Sequence, residues 1–437
     1  MPSARSVLPD LSPLRTSPAF ARLFLGFTAS NIGSQLAIVA IGLQVYGLTG
    51  STGAVGLVGL FALVPTVILG LYGGALADHY DRRTVALVSS IVAWATSIAA
   101  AAQAWLHVDS VPLLYAIVAA WSGAFAVTSP ARTSITPRLL PLNQLPAANA
   151  LNVTAMNTAM TAGPLLAGFL VGSWGFPIAY TLDAILTIAA LWGVLRLPSI
   201  PPEEPEPSAE VTGGAVAAPS RAGLRSVRDG LSFLRTAPNV RMTFVADIAA
   251  MVLAQPRVLF PAAGAVILGG GAATVGQMYA AVAIGGILAM LFSGRFGGVR
   301  RQGAAILLSI TGWGFGIAGL GVVLLATPGY LDRHTALIIA LVVLAAAGAC
   351  DSVSSVFRST ILQAAAPDRM RGRLQGVFIV VVAGGPRLGE VFGGGVAEHL
   401  GEGWTAVLGG LACVAAMAWF AVRRRGFVHY DAAHPTP

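Results

Sequence analysis

Twelve long apolar runs, separated by clusters of Arg, Pro and Gly, occupy most of this 437-residue chain. They cover residues 20–48, 53–77, 84–106, 111–136, 147–172, 177–197, 240–268, 274–296, 302–326, 335–364, 374–397 and 404–423. A helix crosses the hydrocarbon core of a bilayer with about 20 apolar residues, and every run reaches that length. None shows the polar–apolar alternation over about 10 residues that marks a membrane-barrel strand. Only 10% of the residues are charged, where a soluble domain has about 25%, and the mean hydropathy is +0.77. Such a surface suits lipid, and the same apolar content excludes disorder over most of the chain. The chain reads as an all-α integral membrane protein with twelve transmembrane helices. The residues through Arg15 are polar and Pro-rich, and the first run is too long for a signal-peptide core. Residues 20–48 are therefore expected to form the first spanning helix.

All 26 basic residues are Arg; Lys is absent. A Walker A phosphate loop needs Lys, and so does a Schiff base to retinal or pyridoxal phosphate, so ATPase and retinal-pump chemistry are excluded for this polypeptide. The formal charge of +8 does not indicate nucleic acid, because the Arg residues punctuate apolar runs and form no patch. Cys350 and Cys413 sit inside apolar runs, and the six His are scattered, so no disulfide framework, metal site or cofactor is expected. One set of loops carries nearly all the Arg, and the opposite set only Arg333. Arg-rich loops face the cytoplasm, which puts both termini inside the inner membrane of a bacterium.

Residues 198–222 break the pattern with six Pro and four Glu, a flexible linker composition. Leu224, Val227, Leu231 and Leu234 then recur at helical spacing opposite Arg221, Arg225 and Arg228. They suggest a short amphipathic helix on anionic lipid. The expected division is 1–197, a bundle of six helices; 198–236, linker and amphipathic helix; and 237–437, a second bundle with a tail. The two bundles carry copies of the same landmarks, at similar separations along the chain. Leu14-Arg15-Thr16-Ser17-Pro18 is repeated as Leu234-Arg235-Thr236-Ala237-Pro238. Arg132-Thr133-Ser134-Ile135 is repeated as Arg358-Ser359-Thr360-Ile361. Gly163-Pro164 pairs with Gly385-Pro386. Duplicated bundles related by an axis along the membrane normal suit alternating access around a central site.

Two motifs narrow the class. The loop after the second run reads Gly73-Gly74-Ala75-Leu76-Ala77-Asp78-His79-Tyr80-Asp81-Arg82-Arg83. The fifth run contains Ala159-Met160-Thr161-Ala162-Gly163-Pro164-Leu165-Leu166-Ala167-Gly168. The first resembles the signature loop of the major facilitator superfamily, matched at Gly74, Asp78, Arg82 and Arg83, with His79 in place of a basic residue and Asp81 in place of Gly. The second is similar to the superfamily's antiporter motif, matched at Gly163, Pro164 and Gly168, with Ala at two glycine positions. A plain Gly/Pro packing seam explains the second as well. With Ser129 to Leu139, Pro256 to Pro261 and Arg371-Gly372-Arg373, the chain resembles the bacterial exporters of the enterobactin, macrolide and multidrug-efflux branch. That resemblance implies the major facilitator fold, a loop at Gly74–Arg83 that gates the cytoplasmic side, and a cavity lined by spans 1, 4, 7 and 10. It also implies a monomeric secondary transporter.

Eight charges stand within spans: Arg132, Asp183, Asp247, Arg257, Asp351, Arg358, Arg387 and Glu390. A charge at mid-bilayer costs about 2.5–3.5 kcal/mol on insertion scales and by default marks function. Asp247 is the leading candidate for proton coupling, with Asp351 second and Glu390 a third. For each acid a fixed salt bridge is the alternative. Asp351 and Arg358, seven apart, are expected to share a partner without touching, Asp247 and Arg257 to lie near one helix face, and Arg387 and Glu390, three apart, to pair. Arg132, Arg257, Arg358 and Arg387, with Asn31 and Gln35 of the first span, are the candidates for holding cargo. The reading is export of a small amphiphilic molecule, a siderophore or drug, by proton antiport, with no enzymatic step. A proton-coupled importer of the same fold, or a non-transporting receptor, is the alternative.

Overall fold

The computed structural model describes residues 10–200, 232–327, 329–365, 368–434 and 436, without the side chains of 71–79, 134, 293, 295, 297, 366–380, 382 and 383. Most of the expected linker and amphipathic helix, and the side chain of Asp78, therefore lie outside the described residues, and Gly74 is described by its backbone alone.

Helices α1 (Pro18–Thr49), α2 (Thr52–His79), α3 (Arg82–Trp105) and α4 (Val111–Leu139) follow one another through short turns. Their ends have local causes. Ser17 caps α1 by accepting from the Phe20 amide at 3.2 Å, with Pro18 in the first turn. Gly50 ends it in the left-handed region at φ 64°. The next helix, Leu145–Leu195, bends at Gly175, where φ is 80° and ψ −179°. Its arms, α5 (145–174) and α6 (176–195), are the fifth and sixth spans.

The second half holds α7 (Pro238–Leu253), α8 (Gly271–Leu291), α9 (Gln302–Ala326), α10 (Arg333–Ala365), α11 (Asp368–Leu400) and α12 (Glu402–Arg423). Ten described stretches are long and apolar enough to cross a membrane, one of them the bent α5–α6. The remaining expected span, 374–397, falls within α11. Among the described residues the only β pairing is one isolated bridge, Arg301 with Asp431.

The seventh span departs from the expected single helix over 240–268. The α-helix stops at Leu253, a 3-10 turn covers Arg257–Leu259, and a π-helical stretch covers Ala263–Ile267. Pro256 and Pro261 lack the amide hydrogens that a continuous helix needs. The Trp313 indole donates to the Ala254 carbonyl at 3.1 Å and satisfies one acceptor freed by the break.

Within the first half, α1 packs on α5 and α6, α2 on α4, and α3 on α4 and α6. Within the second, α9 packs on α10 and α12, α8 on α10, and α7 on α11. The halves meet at two crossings, α2 on α11 and α5 on α8. Each rests on a pair of glycines. A Cβ added at Gly394 would lie 2.9 Å from the Gly56 Cα, and one at Gly276 3.1 Å from the Gly168 Cα. Gly276 stands as far along the chain from Gly56 as Leu234 does from Leu14, and Gly394 as far from Gly168 as Arg358 does from Arg132. These are the offsets of two of the three sequence landmarks, and exchanging the halves turns one crossing into the other. Two pseudo-symmetric helical bundles thus touch backbone to backbone, the arrangement that the resemblance to the major facilitator superfamily implies.

Neighbouring glycines on α11 test this contact. A Cβ at Gly395 meets nothing within 4 Å. Gly394→Ala is expected to lower the thermal midpoint of the detergent-solubilised protein, by the equivalent of about 1–3 kcal/mol for overpacking. Gly395→Ala is expected to leave it unchanged or raise it. Equal effects of the two substitutions would contradict the crossing.

Candidate functional site

The halves enclose a cavity that begins where the glycine crossings end and extends toward the Arg-rich end of the bundle. The cavity is continuous with the space outside. Gln35 of α1, Asn157 and Pro164 of α5, Tyr279 of α8 and Asp351 of α10 line it, with Arg387 and Glu390 of α11. Arg257 reaches the wall because the broken seventh span presents it on the 3-10 turn. The Arg257 carbonyl accepts from the Tyr279 hydroxyl at 3.4 Å. Met160, Ile38 and Met290 give the remaining wall an apolar, adaptable character.

Two acids and two guanidinium groups thus face one space. Arg387 Nη1 donates to Glu390 Oε2 at 3.0 Å, the pairing expected from their spacing. Behind the wall, Arg358 pairs with Asp247, their side chains only 8% and 6% exposed. Arg358 Nη2 also lies 3.7 Å from Asp351 Oδ1, and the Asp351 side chain is 38% exposed. This corrects two expectations. Asp351 and Arg358 do touch, because helical side chains lean toward the N-terminus and the long guanidinium reaches back over two turns. Asp247 is joined to Arg358, not placed along one face with Arg257, because α7 ends between them at Leu253. Of the two leading carboxylates, the one at the cavity wall is Asp351; Asp247 stands one guanidinium behind it.

The other candidate residues are placed as follows. Gln35 lines the cavity, and Asn31 is buried with its Nδ2 lacking a hydrogen-bond partner among the described residues. The Arg132 guanidinium lies over the Phe27 ring, 2.8 Å from its centroid. Gly163 packs against the α1 backbone at Ile32 and Leu36, Pro164 lines the cavity, and Gly168 forms the α5–α8 crossing. Asp183 is buried against Gly33, where an added Cβ would lie 2.6 Å from its Oδ1. Gln44 exchanges hydrogen bonds with Gln103 and accepts from the Tyr180 hydroxyl at 2.8 Å, a closed polar cluster joining α1, α3 and α6.

Sequence reasoning missed the fastening at the Arg-poor end. Ser51 Oγ and the Gly53 amide donate to Glu398 Oε2 at 2.7 and 3.0 Å, and Thr52 Oγ1 donates to Glu402 Oε1 at 2.6 Å. Two carboxylates of the second half thereby hold the N-terminus of α2, where anions are favoured. Ser-Thr-Gly at a helix start was the available signal; its partners lie in the opposite half of the chain.

At the Arg-rich end, Asp81 replaces the glycine of the signature loop and caps α3. It accepts from the Arg83 amide at 2.7 Å and the Thr84 amide at 3.3 Å, and from the Ser199 hydroxyl. Burial raises the Asp81 pKa, but the hydrogen bonds from Ser199, Thr84 and Arg83 outweigh it and hold the carboxyl below its ordinary value. The Arg82 amide donates to the Ile200 carbonyl at 3.1 Å, and Arg83 Nη2 donates to the Leu195 carbonyl at 2.8 Å. Arg82 and Asp81 thus fasten this loop to the chain leaving α6, and Arg83 to the helix end itself.

A multi-pass bundle with a central cavity carrying both signs of charge defines a secondary transporter. Solved structures agree on the fold. A POT family transporter matches with a TM-score of 0.71 at 13% identity, over 94% of this chain and 96% of that one. The D-xylose-proton symporter matches with a TM-score of 0.67 at 13% identity, over 92% and 96%. The chain belongs to the transmembrane secretion effector family of this superfamily, whose model matches residues 9–433. It is 29% identical over 401 residues to the enterobactin exporter EntS of Escherichia coli O139:H28 (strain E24377A / ETEC), covering 90% of this chain and 88% of the relative. The enterobactin exporter EntS of Shigella boydii serotype 18 matches to the same extent.

The buried ion pair makes a stability prediction. Asp247→Ala leaves the Arg358 guanidinium buried with its nearest partner gone, which costs about 3–5 kcal/mol. The double variant Asp247→Ala, Arg358→Met is expected to melt closer to the wild type than Asp247→Ala does. A double variant no more stable than the single one would contradict the pairing.

Proposed function

We propose that this protein exports a small amphiphilic molecule of the siderophore or drug type from the cytoplasm, exchanging it for protons. The observation that carries this reading is the cavity itself: Asp351 and Glu390 line the same space as Arg257 and Arg387. A carboxylate in contact with both a water-reachable cavity and a guanidinium has a proton affinity that depends on which group lies nearest. Cargo entering between the halves changes those distances. Loading and protonation thereby compete for one set of charges, which is what exchange requires. Asp247, joined to Asp351 through Arg358, holds that guanidinium in place and tunes its availability.

The Arg-rich loops mark the cytoplasmic face, so both termini lie inside and the cavity opens inward. The fastening of Ser51, Thr52 and Gly53 to Glu398 and Glu402 then closes the outer face, and the loop bearing Asp78, Arg82 and Arg83 gates the inner one. The linker over 198–236 joins the bundles 1–197 and 237–437 on the cytoplasmic side. The cavity is built within one chain, and a monomer in bacterial inner-membrane lipid suffices for the cycle. The family supports export, and the relatives named for enterobactin export support a siderophore among the cargo.

Everted membrane vesicles test the reading. Vesicles bearing the protein are expected to accumulate cargo from a panel of siderophores and macrolides when their interior is acid, and to lose that accumulation when the gradient is collapsed. Asp351→Asn and Glu390→Gln are each expected to reduce gradient-driven uptake to the level seen without a gradient. Uptake independent of the gradient in the wild type, or full coupling in both variants, would overturn proton exchange.

A further inference from the structure

The two halves differ around one duplicated arginine. Arg358 of α10 is the repeat counterpart of Arg132 of α4. At the same offset, Asp351 is the counterpart of Phe125, and at the offset of the first and seventh spans Asp247 is the counterpart of Phe27. The structure preserves the geometry: Arg358 meets Asp247 across α10 and α7, and Arg132 meets Phe27 across α4 and α1. The second half surrounds its guanidinium with two carboxylates. The first half keeps the guanidinium and has Phe where both acids would stand.

Arg132 forms no ion pair among the described residues, and its guanidinium rests on the face of the Phe27 ring. A ring face attracts a cation but supplies no negative charge, so among the described residues no carboxylate neutralises Arg132. Phe27 does not stand alone on α1. Asn31 and Gln35 follow at four-residue steps, which place all three on one face. Gln35 lines the cavity, and Asn31 is buried with an amide donor that has no partner among the described residues. The stripe leads from the cavity wall to the guanidinium.

We infer that Arg132, with Phe27, Phe125 and Asn31, is a binding site for an organic anion borne on an aromatic or apolar body, a carboxylate, phenolate or sulfonate. The bound anion supplies the charge that Asp247 and Asp351 supply to Arg358, and the rings hold its apolar part. The inference deepens the export reading by giving the cargo a negatively charged end, held in the first half, while the two acids lining the cavity, Asp351 and Glu390, stand in the second.

The test uses the full-length protein in phosphatidylcholine nanodiscs, with empty nanodiscs subtracted. The probes are 8-anilinonaphthalene-1-sulfonate and its uncharged parent N-phenyl-1-naphthylamine. Arg132→Gln is expected to weaken sulfonate binding by about tenfold or more, the range for a hydrogen bond to a charged group, and to change binding of the neutral parent by less than about twofold on the same argument. Phe27→Asp is expected to do the same with Arg132 still present, because it restores the internal carboxylate of the other half. Retained binding of the neutral parent shows that each variant is folded; Phe125→Asp serves if Phe27→Asp is not. In the wild type, naphthalene-1-sulfonate should displace the sulfonate probe and 1-naphthylamine should not.

Unchanged sulfonate affinity in Arg132→Gln or in the acid variant, or equal displacement by the two competitors, would overturn the site. Displacement of the probe by added phosphatidylglycerol would assign the anion to a lipid headgroup and overturn its assignment to cargo. Failure of these binding results with Asp351-dependent uptake intact removes only this inference. Failure of gradient-driven uptake with anion binding intact removes only the export reading.

Discussion

A guanidinium placed in an apolar interior must find a negative partner or water, and the arrangement of this protein follows from how four such groups meet that demand. Burying an isolated charge costs several kcal/mol even after relaxation. Arg358 meets the requirement inside the protein, with Asp247 on one side and Asp351 on the other. Arg387 meets it with Glu390, three residues along its own helix. Arg257 is brought to the open cavity by a break in its helix. Among the described residues Arg132 is paired with no carboxylate and lies on an aromatic face. Groups already neutralised inside the chain offer little to a passing ligand, and those least neutralised among the described residues offer the most.

The second determinant is the pair of glycine crossings. Side chains at Gly56, Gly168, Gly276 or Gly394 would keep the backbones apart. Without them, two helix pairs meet closely over a short length and diverge beyond it, and the divergence makes the cavity. Because the two crossings are exchanged by the duplication, motion of one half against the other changes both in the same way. Carboxylates at the α2 N-terminus and the caps around Asp81 fasten opposite ends of the bundle with hydrogen bonds that rearrange at modest cost, about 0.5–1.5 kcal/mol net each.

Much of this was legible in the sequence. Span positions follow from run length, because lipid leaves a helix no alternative for its backbone polar groups. The duplication is visible at Leu14 and Leu234 and at Arg132 and Arg358, and the Arg387–Glu390 pair follows from helical spacing. The break in the seventh span is signalled by Pro256 and Pro261 but hidden by a continuous apolar run. That hidden break parts Asp247 from Arg257 and leaves Asp351, the second-ranked acid, at the cavity wall. The fastening by Glu398 and Glu402 is illegible, because nothing local to α2 indicates which distant carboxylate will cap it. The asymmetry at Phe27 and Phe125 is written in the sequence throughout, but only the contact across α1 and α4 gives it meaning.

Opposed movement of the two ends most directly decides whether these parts form a transport cycle. Spin labels on cysteines at Leu48 and Trp404 report the Arg-poor end, and labels at Leu142 and Leu291 the Arg-rich end; all four side chains are exposed. Distances measured by double electron–electron resonance, in the unliganded protein and on acidification or addition of cargo, are predicted to change in opposite directions, one pair lengthening as the other shortens. Two fixed distances, or two that lengthen together, would contradict the account.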